Sequence, residues 1–334
     1  MKPGSTGAGR GPTACLTGWA SVERILVTGA AGLIGRTTTW HFARLGAAVT
    51  ALDLDDPGDL AADRVVVGDA RDRATLASAL AGVDAVVHLA AIPAPELGSA
   101  DQVFATNTAA TFAVLDAAGE HGVRRAVIAS SINALGYRYG PRPGRPAYLP
   151  LDERLPSLAA DPYSLSKQVD ELTAAAMHRR HGMDVVALRF PMVAGLGGAD
   201  GLDDRLPGFF DVIAGDPGHA AVDAWLYLET RDAARAVELG LRPARPGAHT
   251  VFVAAPETSA PYPTEQLLGA FLPDVSLRRP FPGRTAPVDL TLAGELLGFA
   301  AEHVPDLPMR DLEPSPRPGH DAATSQVRRR PHMP

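Results

Sequence analysis

A tyrosine and a lysine one helical turn apart are the residues of this chain best suited to acid–base chemistry. The stretch from Asp161 to Lys167 reads DPYSLSK. Asp161 as N-cap and Pro162 as first helical residue predict a helix that begins here, with Tyr163 and Lys167 on one face. A nearby ammonium lowers the pKa of a phenol, so the pair could exchange a proton with an alcohol or a carbonyl compound. On this stretch alone, a solvated helix face or an ion pair between Lys167 and Glu171 remain alternatives.

A glycine-rich turn near the start of the chain could hold a phosphate group. Residues 28–35 read TGAAGLIG, with glycines at Gly29, Gly32 and Gly35. Such glycines let the backbone approach a pyrophosphate, whose charge the amides and dipole of the following helix would hold. The first gap is one residue longer than in the standard dinucleotide fingerprint, and a glycine turn without a ligand is the alternative.

An acidic residue at the end of the second predicted strand bears on the choice of dinucleotide. Asp53 follows the apolar run 48–52. A carboxylate there can accept hydrogen bonds from a ribose diol and would repel a 2′-phosphate, so we predict NAD as the cofactor rather than NADP. Arg36 keeps the other choice open, because a guanidinium just after the glycine turn could meet a phosphate.

Apolar runs alternate with helical stretches along most of the chain. Strands are predicted at 24–28, 48–52, 65–67, 85–88, 126–129 and 185–188. Helices are predicted at 33–46, 101–120 and 162–181. Apolar strands buried on both faces and linked by helices predict an α/β fold with a doubly wound parallel Rossmann sheet. We expect a smaller C-terminal substrate-binding lobe to complete the cleft, with a further strand at 224–228.

The composition divides the chain into four predicted parts. Residues 1–22 read as a disordered leader, and residues 313–334 as a disordered tail rich in proline. Residues 23–191 are predicted to form an NAD-binding Rossmann domain that also carries the catalytic residues. Residues 192–312 are predicted to form the substrate-binding lobe, with sheet elements interleaved. The segment 137–160 is interpreted as either a functional lid or a plain solvated loop.

Charge, cysteine content and hydropathy exclude several classes of function. The 334 residues carry a net charge of −7, which argues against nucleic-acid binding. The single cysteine, Cys15, cannot form an intramolecular disulfide, and no cysteine or histidine cluster has the spacing of a metal site. No apolar run is long enough for a membrane span or a signal peptide. We therefore expect a cytoplasmic protein with no metal, no membrane and no nucleic-acid partner.

Taken together, these motifs resemble the extended short-chain dehydrogenase/reductase family, in its NAD-dependent epimerase/dehydratase branch. The resemblance covers residues 24 to about 305. Besides the glycine turn and the Tyr163/Lys167 pair, it rests on these stretches: Gly68-Asp69, His88-Leu89-Ala90-Ala91, Asn107, Ala129-Ser130-Ser131, Arg189-Phe190-Pro191, Arg231-Asp232-Ala233-Ala234, and a last helix between Asp289 and Phe299.

The resemblance implies a catalytic triad, a set of cofactor contacts and a homodimer. In the triad, Ser131 would bind the substrate oxygen, Tyr163 would pass it a proton, and Lys167 would lower the pKa of the tyrosine. The implied cofactor contacts are Gly29, Ala31, Gly32, Leu33, Ile34, Asp53, Asp69, Ala70, Leu89, Ala90, Ala91, Asn107, Ala129, Tyr163, Lys167 and Pro191. The implied substrate wall consists of Ser131, Ile132, Asn133, Met192 and Trp225.

Departures from the family pattern narrow the expected substrate. Ile132 and Asn133 follow Ser131 where 4,6-dehydratases carry an Asp-Glu pair, which argues against dehydration. Met192 stands in place of an asparagine that holds nucleotide sugars, and Trp225 in place of an arginine for their phosphates. We therefore predict a substrate other than a nucleotide diphospho-sugar, because buried phosphates need hydrogen-bond donors.

The expected reaction is hydride transfer between nicotinamide and a small secondary alcohol or ketone. The nearest pattern is the uronate dehydrogenase-like group, which shares the phrases at 129–131 and 136–137, although Ile132 and Met192 replace its polar substrate contacts. A sugar epimerase that uses the same triad is the first alternative. A non-catalytic cofactor sensor is the second, although such proteins usually lose the tyrosine or the lysine.

Overall fold

A computed structural model describes residues 23–142, 144–198 and 203–313, and its centre is a parallel β-sheet. Seven strands of the described chain form this sheet in the order β10-β7-β5-β4-β1-β2-β3, and each neighbouring pair is parallel. The strands, numbered in chain order, are β1 Arg24–Thr28, β2 Ala48–Asp53, β3 Arg64–Val67, β4 Ala85–His88, β5 Arg125–Ser131, β6 Tyr148–Leu149, β7 Asp184–Phe190, β8 Met192–Ala194, β9 Tyr227–Glu229, β10 Ala248–Phe252 and β11 Ser276–Leu277.

Helices cover both faces of the sheet. They are α1 Leu33–Arg44, α2 Arg73–Ala79, α3 Ala100–Glu120, α4 Pro162–His181, α5 Leu206–Gly215, α6 Thr230–Gly240 and α7 Thr264–Phe271. Ile25 of β1 shares a core cluster with Phe42 of α1, whereas the next residue, Leu26, shares another with Leu115 of α3 and Met177 of α4. Alternate residues of one strand are thus buried on opposite faces, so the predicted doubly wound Rossmann sheet is confirmed.

The order of the strands creates a crevice where the cofactor is predicted to bind. From β1 the chain continues to β2 and β3 on one side, and from β4 to β5 and β7 on the other. The connections that leave the carboxyl ends of β1 and β4 therefore diverge, and ligands of open α/β sheets bind at such a switch point. Thr28 and His88 end these two strands as paired neighbours.

A second core lies beyond the sheet and contains much of the chain after residue 192. Its members include Trp225, Leu267 and Phe281, together with Leu149 and Leu155 from the segment 137–160. In that segment, β6 pairs with β11, so the part of it that the structure describes is a packed element rather than a free loop. Strands β8 and β9 form a separate parallel pair.

Two predicted elements differ from the structure. The strand expected at 224–228 is β9, Tyr227–Glu229, because the backbone at Ala224 and Trp225 takes the left-handed conformation, with φ of 54° and 56°. The helix expected between residues 289 and 299 is shorter in the structure: two α-helical residues, Thr291 and Leu292, lead into the π-helical turn Ala293–Leu297, which ends at Gly298 with φ of 66°. The predicted leader at 1–22, with Cys15, and the tail from residue 314 lie outside the described residues.

Candidate active site

Helix α4 begins where its sequence predicted. The Oδ1 atom of Asp161 accepts a hydrogen bond of 2.9 Å from the backbone N–H of Ser164, and Pro162 is the first helical residue. Tyr163 and Lys167 follow on one face, and their side chains line the same cavity, of about 710 Å³. The local signals of the N-cap and the proline therefore place both groups.

Lys167 pairs with a different carboxylate from the one considered in the sequence. Its Nζ donates to the carbonyl of Ala129 at 2.9 Å and to Oδ2 of Asp170 at 3.3 Å. Glu171 instead accepts two hydrogen bonds of 2.8 Å from Arg189. The alternative pairing of Lys167 with Glu171 is therefore wrong.

Ser131 ends β5 and faces the same cavity as Tyr163 and Lys167. Its Oγ accepts a hydrogen bond of 3.1 Å from the backbone N–H of Asn133, at the start of the 3₁₀ turn Ile132–Leu135. The hydroxyl hydrogen is left free to donate toward the cavity. The structure thus brings the three predicted triad residues together around one space.

The glycine turn has room for backbone and for a ligand, but not for added side chains. Gly29 has φ of 69°, and a Cβ on it would lie 2.6 Å from the backbone nitrogen of Ala90. A Cβ on Gly35 would lie 2.0 Å from the carbonyl oxygen of Gly29. No side chain caps the first amides of α1, and Gly32, Leu33 and Ile34 line the cavity there. This arrangement fits a pyrophosphate at the helix N-terminus.

Two acidic residues lie at the same edge of the sheet: Asp53 is the last residue of β2, and Asp69 follows β3. Asp53 accepts hydrogen bonds from the backbone N–H groups of Ala31, at 2.8 Å, and Leu54, at 2.7 Å. Arg36 forms an ion pair with Asp59 at 2.9 Å, so its guanidinium already has a carboxylate partner. Arg71 donates to Asp69 and lowers the pKa of that carboxyl.

Fourteen of the predicted site residues line the cavity, and seven do not. The lining residues are Gly29, Gly32, Leu33, Ile34, Leu89, Ala91, Ala129, Ser131, Ile132, Asn133, Tyr163, Lys167, Pro191 and Met192. The other seven are Ala31, Asp53, Asp69, Ala70, Ala90, Asn107 and Trp225. Most of those seven lie on neighbouring segments of the carboxyl edge, and their contact with a cofactor stays a prediction.

Two of the seven, Asn107 and Trp225, make packing contacts in the structure, and their contact with a ligand stays a prediction. Asn107 is fully buried; its amide bonds both backbone groups of Ile92 and the Oγ of Ser166, and so joins α3 to the loop after β4 and to α4. Trp225 is fully buried as well, and its indole N–H donates to the carbonyl of Pro217 at 2.7 Å. The backbone at Trp225 is in the left-handed conformation, and the next residue, Leu226, lines the cavity instead.

Sequence reasoning missed part of the far wall of the cavity. His219 and Asp223, from the 3₁₀ segment Pro217–Asp223, line it, and Asp223 forms an ion pair with Arg138. Tyr139 also lines it, with its ring edge-on to that of Tyr163 at 6.0 Å between centroids. Burial raises the pKa of Asp223. The sequence marked the segment 137–160, which carries Arg138 and Tyr139, whereas no motif marked His219 or Asp223.

Two negative findings apply to the described residues. They contain no group of three or more histidine, cysteine, aspartate or glutamate side chains placed to hold a metal ion. None of their helices is long and apolar enough to cross a membrane.

Solved structures share the fold over most of this chain. A short-chain dehydrogenase/reductase superfamily protein from Agrobacterium tumefaciens, solved with bound NAD, is 26% identical with a TM-score of 0.62, and the match covers 84% of this chain and 93% of that one. A UDP-glucose 4-epimerase from Brucella ovis in complex with NAD has a TM-score of 0.64 over 86% and 95% of the two chains. At 22% identity, the epimerase shows likeness of fold alone.

Curated relatives match about half of this chain. A uronate dehydrogenase from Pseudomonas putida is 30% identical over 173 residues, which are 50% of this chain and 60% of that protein. An L-arabinose 1-dehydrogenase (NAD(P)(+)) from Haloferax volcanii is 34% identical over 174 residues, which are 50% of this chain and 66% of that protein. A dTDP-glucose 4,6-dehydratase from Streptomyces niveus is 36% identical over 184 residues, which are 50% of this chain and 52% of that protein. The chain thus spans between half and two thirds of each relative's length.

A family model gives the broader assignment. The model of the NAD dependent epimerase/dehydratase family matches residues 25–223, more than half of the chain, and this range includes the glycine turn, Ser131, Tyr163 and Lys167. The fold and the glycine cradle agree with it. The chain therefore belongs to the NAD-dependent epimerase/dehydratase family, and NAD is its cofactor.

Proposed function

We propose that this protein is an oxidoreductase that moves a hydride between NAD and a secondary alcohol or ketone. One observation carries the proposal: Ser131, Tyr163 and Lys167 line the same cavity as the glycine turn. A proton donor and a hydrogen-bond donor for the substrate oxygen are thereby held beside the predicted dinucleotide site. Hydride transfer at a carbinol carbon requires that combination.

The chain's own residues would manage the proton. NAD supplies the hydride acceptor. During oxidation the Tyr163 phenolate takes the proton of the substrate hydroxyl, and during reduction the phenol returns a proton to the developing alkoxide. The Ser131 hydroxyl donates a hydrogen bond to the same substrate oxygen. The Lys167 ammonium stabilises the phenolate by its charge.

The charges around the cavity support a substrate without a diphosphate. Arg138 and Arg205 line the cavity, but each already pairs with a carboxylate, Asp223 and Asp203 respectively. A diphosphate brings about two negative charges that need unpaired donors. The replacement of an arginine by Trp225 is not an argument for such a substrate, because Trp225 lies in the second core.

The chemistry of the remaining wall fits a free sugar derivative or a less polar ketone or alcohol. Ile132, Met192 and Leu226 provide apolar surface, and the Arg138–Asp223 pair provides polar atoms. Two relatives, the uronate dehydrogenase and the L-arabinose 1-dehydrogenase, are named for substrates that contain no nucleotide.

A sugar epimerase is the second candidate. The same triad oxidises and then reduces a sugar carbon in that reaction, with no net change of the cofactor. The match to the epimerase/dehydratase family model favours keeping this candidate. Net NADH formation separates the two functions.

The domain division and the oligomer are part of the proposal. We assign residues 192–312 to the substrate lobe, except that α6 and β10 complete the Rossmann unit. We also expect a homodimer through α3 and α4, because Phe112 on α3 and Leu165 and Leu172 on α4 are exposed apolar side chains on neighbouring helices. Analytical sedimentation gives the molecular mass in solution, and we expect a dimer for wild type and a monomer for Leu172→Glu.

An absorbance screen tests the reaction. Purified protein with NAD is offered free sugars, uronates and polycyclic alcohols, and with NADH the matching ketones. We expect net NADH formation or consumption with one class, and a rate that is about 10²–10⁴-fold lower in Tyr163→Phe. Interconversion of sugar epimers without net NADH would instead establish the epimerase.

A calorimetric experiment tests the substrate class. UDP, dTDP and GDP are titrated into the protein with NAD present, and we expect no binding in the micromolar range. Micromolar binding that is lost in Arg138→Ala or Arg205→Ala would contradict the proposed substrate and favour the epimerase.

A further inference from the structure

One ion pair on the far wall faces the same cavity as the triad. Arg138 follows the 3₁₀ turn Ile132–Leu135, and Asp223 ends the 3₁₀ segment Pro217–Asp223. Nη1 of Arg138 donates to Oδ2 of Asp223, and both half-buried side chains line the cavity. Among the described residues that line the cavity, Asp223 is the sole carboxylate.

The pair lies one aromatic ring away from Tyr163. The ring of Tyr139 is edge-on to that of Tyr163, with 6.0 Å between their centroids. The guanidinium carbon of Arg138 lies 5.9 Å from the centroid of the Tyr139 ring. A substrate of several carbon atoms that reacts at Tyr163 would therefore extend toward the pair.

Buried neighbours hold both members of the pair in place. Tyr137, directly before Arg138, belongs to the second core, and so does Trp225, two positions after Asp223. The indole N–H of Trp225 donates to the carbonyl of Pro217 at 2.7 Å, at the start of the segment that ends in Asp223. The packing of the core thus fixes the positions of the two charges before a ligand arrives.

This pair differs from the other ion pairs at the cavity in where its carboxylate lies. The two other cations that line the cavity pair with carboxylates that do not line it: Lys167 with Asp170, and Arg205 with Asp203. The partner of Arg138 lines the cavity itself. An anion that approaches Arg138 therefore meets a negative charge in the same place, and like charges in contact oppose binding.

The pair retains hydrogen-bonding groups for an uncharged ligand. Burial raises the pKa of Asp223, whereas Arg138 and His219 oppose that rise, and the contact with Arg138 favours the charged carboxylate. Within the described chain the two side chains make one hydrogen bond, so the other N–H groups of Arg138 and Oδ1 of Asp223 remain available. A hydroxyl group both donates and accepts, so two neighbouring hydroxyls match a guanidinium beside a carboxylate.

We propose that Asp223 is a specificity-determining residue that neutralises Arg138 and so excludes anionic substrates, while the pair binds neighbouring hydroxyl groups of an uncharged sugar. The proposal rests on the proposed function and narrows its substrate class from sugar derivatives in general to neutral free sugars. Selection of one ligand over another is strengthened by a repulsive element against the wrong one. Asp223 provides that repulsion.

Calorimetry with matched sugars tests the selection. The protein is saturated with NADH, which prevents oxidation of the sugar. It is then titrated with D-glucose and D-glucuronate, and with D-galactose and D-galacturonate. In each pair the acid carries a carboxylate where the neutral sugar has a terminal hydroxymethyl group. We expect a neutral sugar to bind at least about tenfold more tightly than its acid. Tighter binding of an acid, or no binding of any neutral sugar, would overturn the proposal.

Asp223→Asn removes the charge and keeps the shape of the side chain. Arg138 then lacks a carboxylate partner, so the preference for the neutral sugar should fall by at least about tenfold. Asp274→Asn is the matched control: it changes the net charge equally and releases Arg145, its partner at 3.5 Å, but neither residue lines the cavity. It should leave the preference unchanged. No shift in Asp223→Asn, or an equal shift in both variants, would contradict the proposal.

Arg138→Gln provides a second variant if Asp223→Asn does not fold. It leaves the Asp223 carboxylate in the cavity without its cation. Neutral sugars should bind more weakly, and the acids should bind no better than in wild type. A gain in binding of an acid would show that Asp223 does not repel it.

The outcomes for the selection and for the reaction are distinct, because binding to the NADH complex needs no turnover. Preference for a neutral sugar that Asp223→Asn removes, without NADH formation from any substrate, would support the role of Asp223 and refute the proposed function. NADH formation from an apolar alcohol, with no sugar bound, would support the function and refute the role of Asp223.

Discussion

The cofactor side of the cavity is made mainly of backbone at the ends of neighbouring strands, whereas the far side is made of side chains on distant segments. On the cofactor side, the backbone at Gly29 packs directly against the backbone of Ala90, and the backbone at Gly35 packs against the carbonyl of Gly29. On the far side, Arg138 meets Asp223 across 85 positions of sequence. Tyr163 and Lys167 lie between the two sides, on the first two turns of α4.

This difference means that the two sides should fail in opposite ways. A wall made of closely packed backbone is damaged when side-chain atoms are added, because the backbone segments cannot move apart without strain. A wall of paired side chains is damaged when atoms are removed, because a buried partner is left unsatisfied. The following variants test this contrast, from the largest expected effect to the smallest.

Tyr163→Phe removes the proton donor at the junction of the two sides and keeps the ring. Turnover should fall by about 10²–10⁴-fold, the usual contribution of general acid–base catalysis. NADH binding, measured by fluorescence, should stay near wild type. Lys167→Ala should weaken both turnover and binding. Retention of most activity in Tyr163→Phe would refute the acid–base assignment.

Gly35→Ala adds one methyl group to the cofactor side. Its Cβ would lie 2.0 Å from the carbonyl oxygen of Gly29, so the turn must shift. We expect NADH affinity to fall by roughly ten- to a hundredfold, as overpacking of about 1–3 kcal/mol implies. Gly269→Ala is the matched control, since a Cβ there meets nothing within 4 Å. Equal affinities of the two variants would contradict the close-packed turn.

Arg138→Ala removes one partner from the far side and should make stability depend on pH. Burial already raises the pKa of Asp223, and loss of Arg138 raises it further above the unfolded value of about 3.9. When the pKa of a carboxyl is higher in the folded than in the unfolded protein, the free energy of unfolding falls as the pH rises from the unfolded value to the folded value. Below both pKa values the carboxyl is protonated in both states and costs no stability.

The loss in Arg138→Ala should therefore be about 1–3 kcal/mol at neutral pH and should disappear toward pH 4. Urea unfolding at several pH values measures it. The double variant with Asp223→Asn should recover most of the loss at neutral pH. A loss that does not vary with pH would show that the ion pair is not its cause.

Asp53→Ser removes the carboxylate at the edge of the cofactor side. Wild type should bind NADH more tightly than NADPH, because Asp53 repels a 2′-phosphate. The variant should reduce that preference by about tenfold, or about 1.4 kcal/mol. Fluorescence titration with both cofactors measures it, and equal or tighter NADPH binding by wild type would reverse the assignment.

Trp225→Phe should have the smallest effect on ligand binding, and it separates the core from the cavity. It removes the indole N–H that donates to the Pro217 carbonyl at 2.7 Å. We expect a loss of about 1–3 kcal/mol in the free energy of unfolding, because the buried Pro217 carbonyl loses its donor and the smaller ring leaves a cavity. NADH affinity should not change. A change in substrate KM without a change in stability would restore Trp225 to the substrate wall.

The local features of this protein were predictable from sequence because neighbouring residues determine them. Asp161 and Pro162 predicted the first turn of α4, and the helix runs over the predicted residues. The apolar run at 24–28 is β1 as predicted. Capping, proline geometry and strand patterning act over a few residues, so the candidate triad residues and the glycine turn could be placed on their elements without a structure.

Contacts between distant segments were decided only by the tertiary structure. Lys167 pairs with Asp170 rather than Glu171 because β7 places Arg189 beside Glu171. Trp225 lies in the core because two successive residues adopt a left-handed backbone that their side chains do not favour. The partner of a charge and the direction of a side chain depend on the packing of whole elements, and no local pattern encodes them.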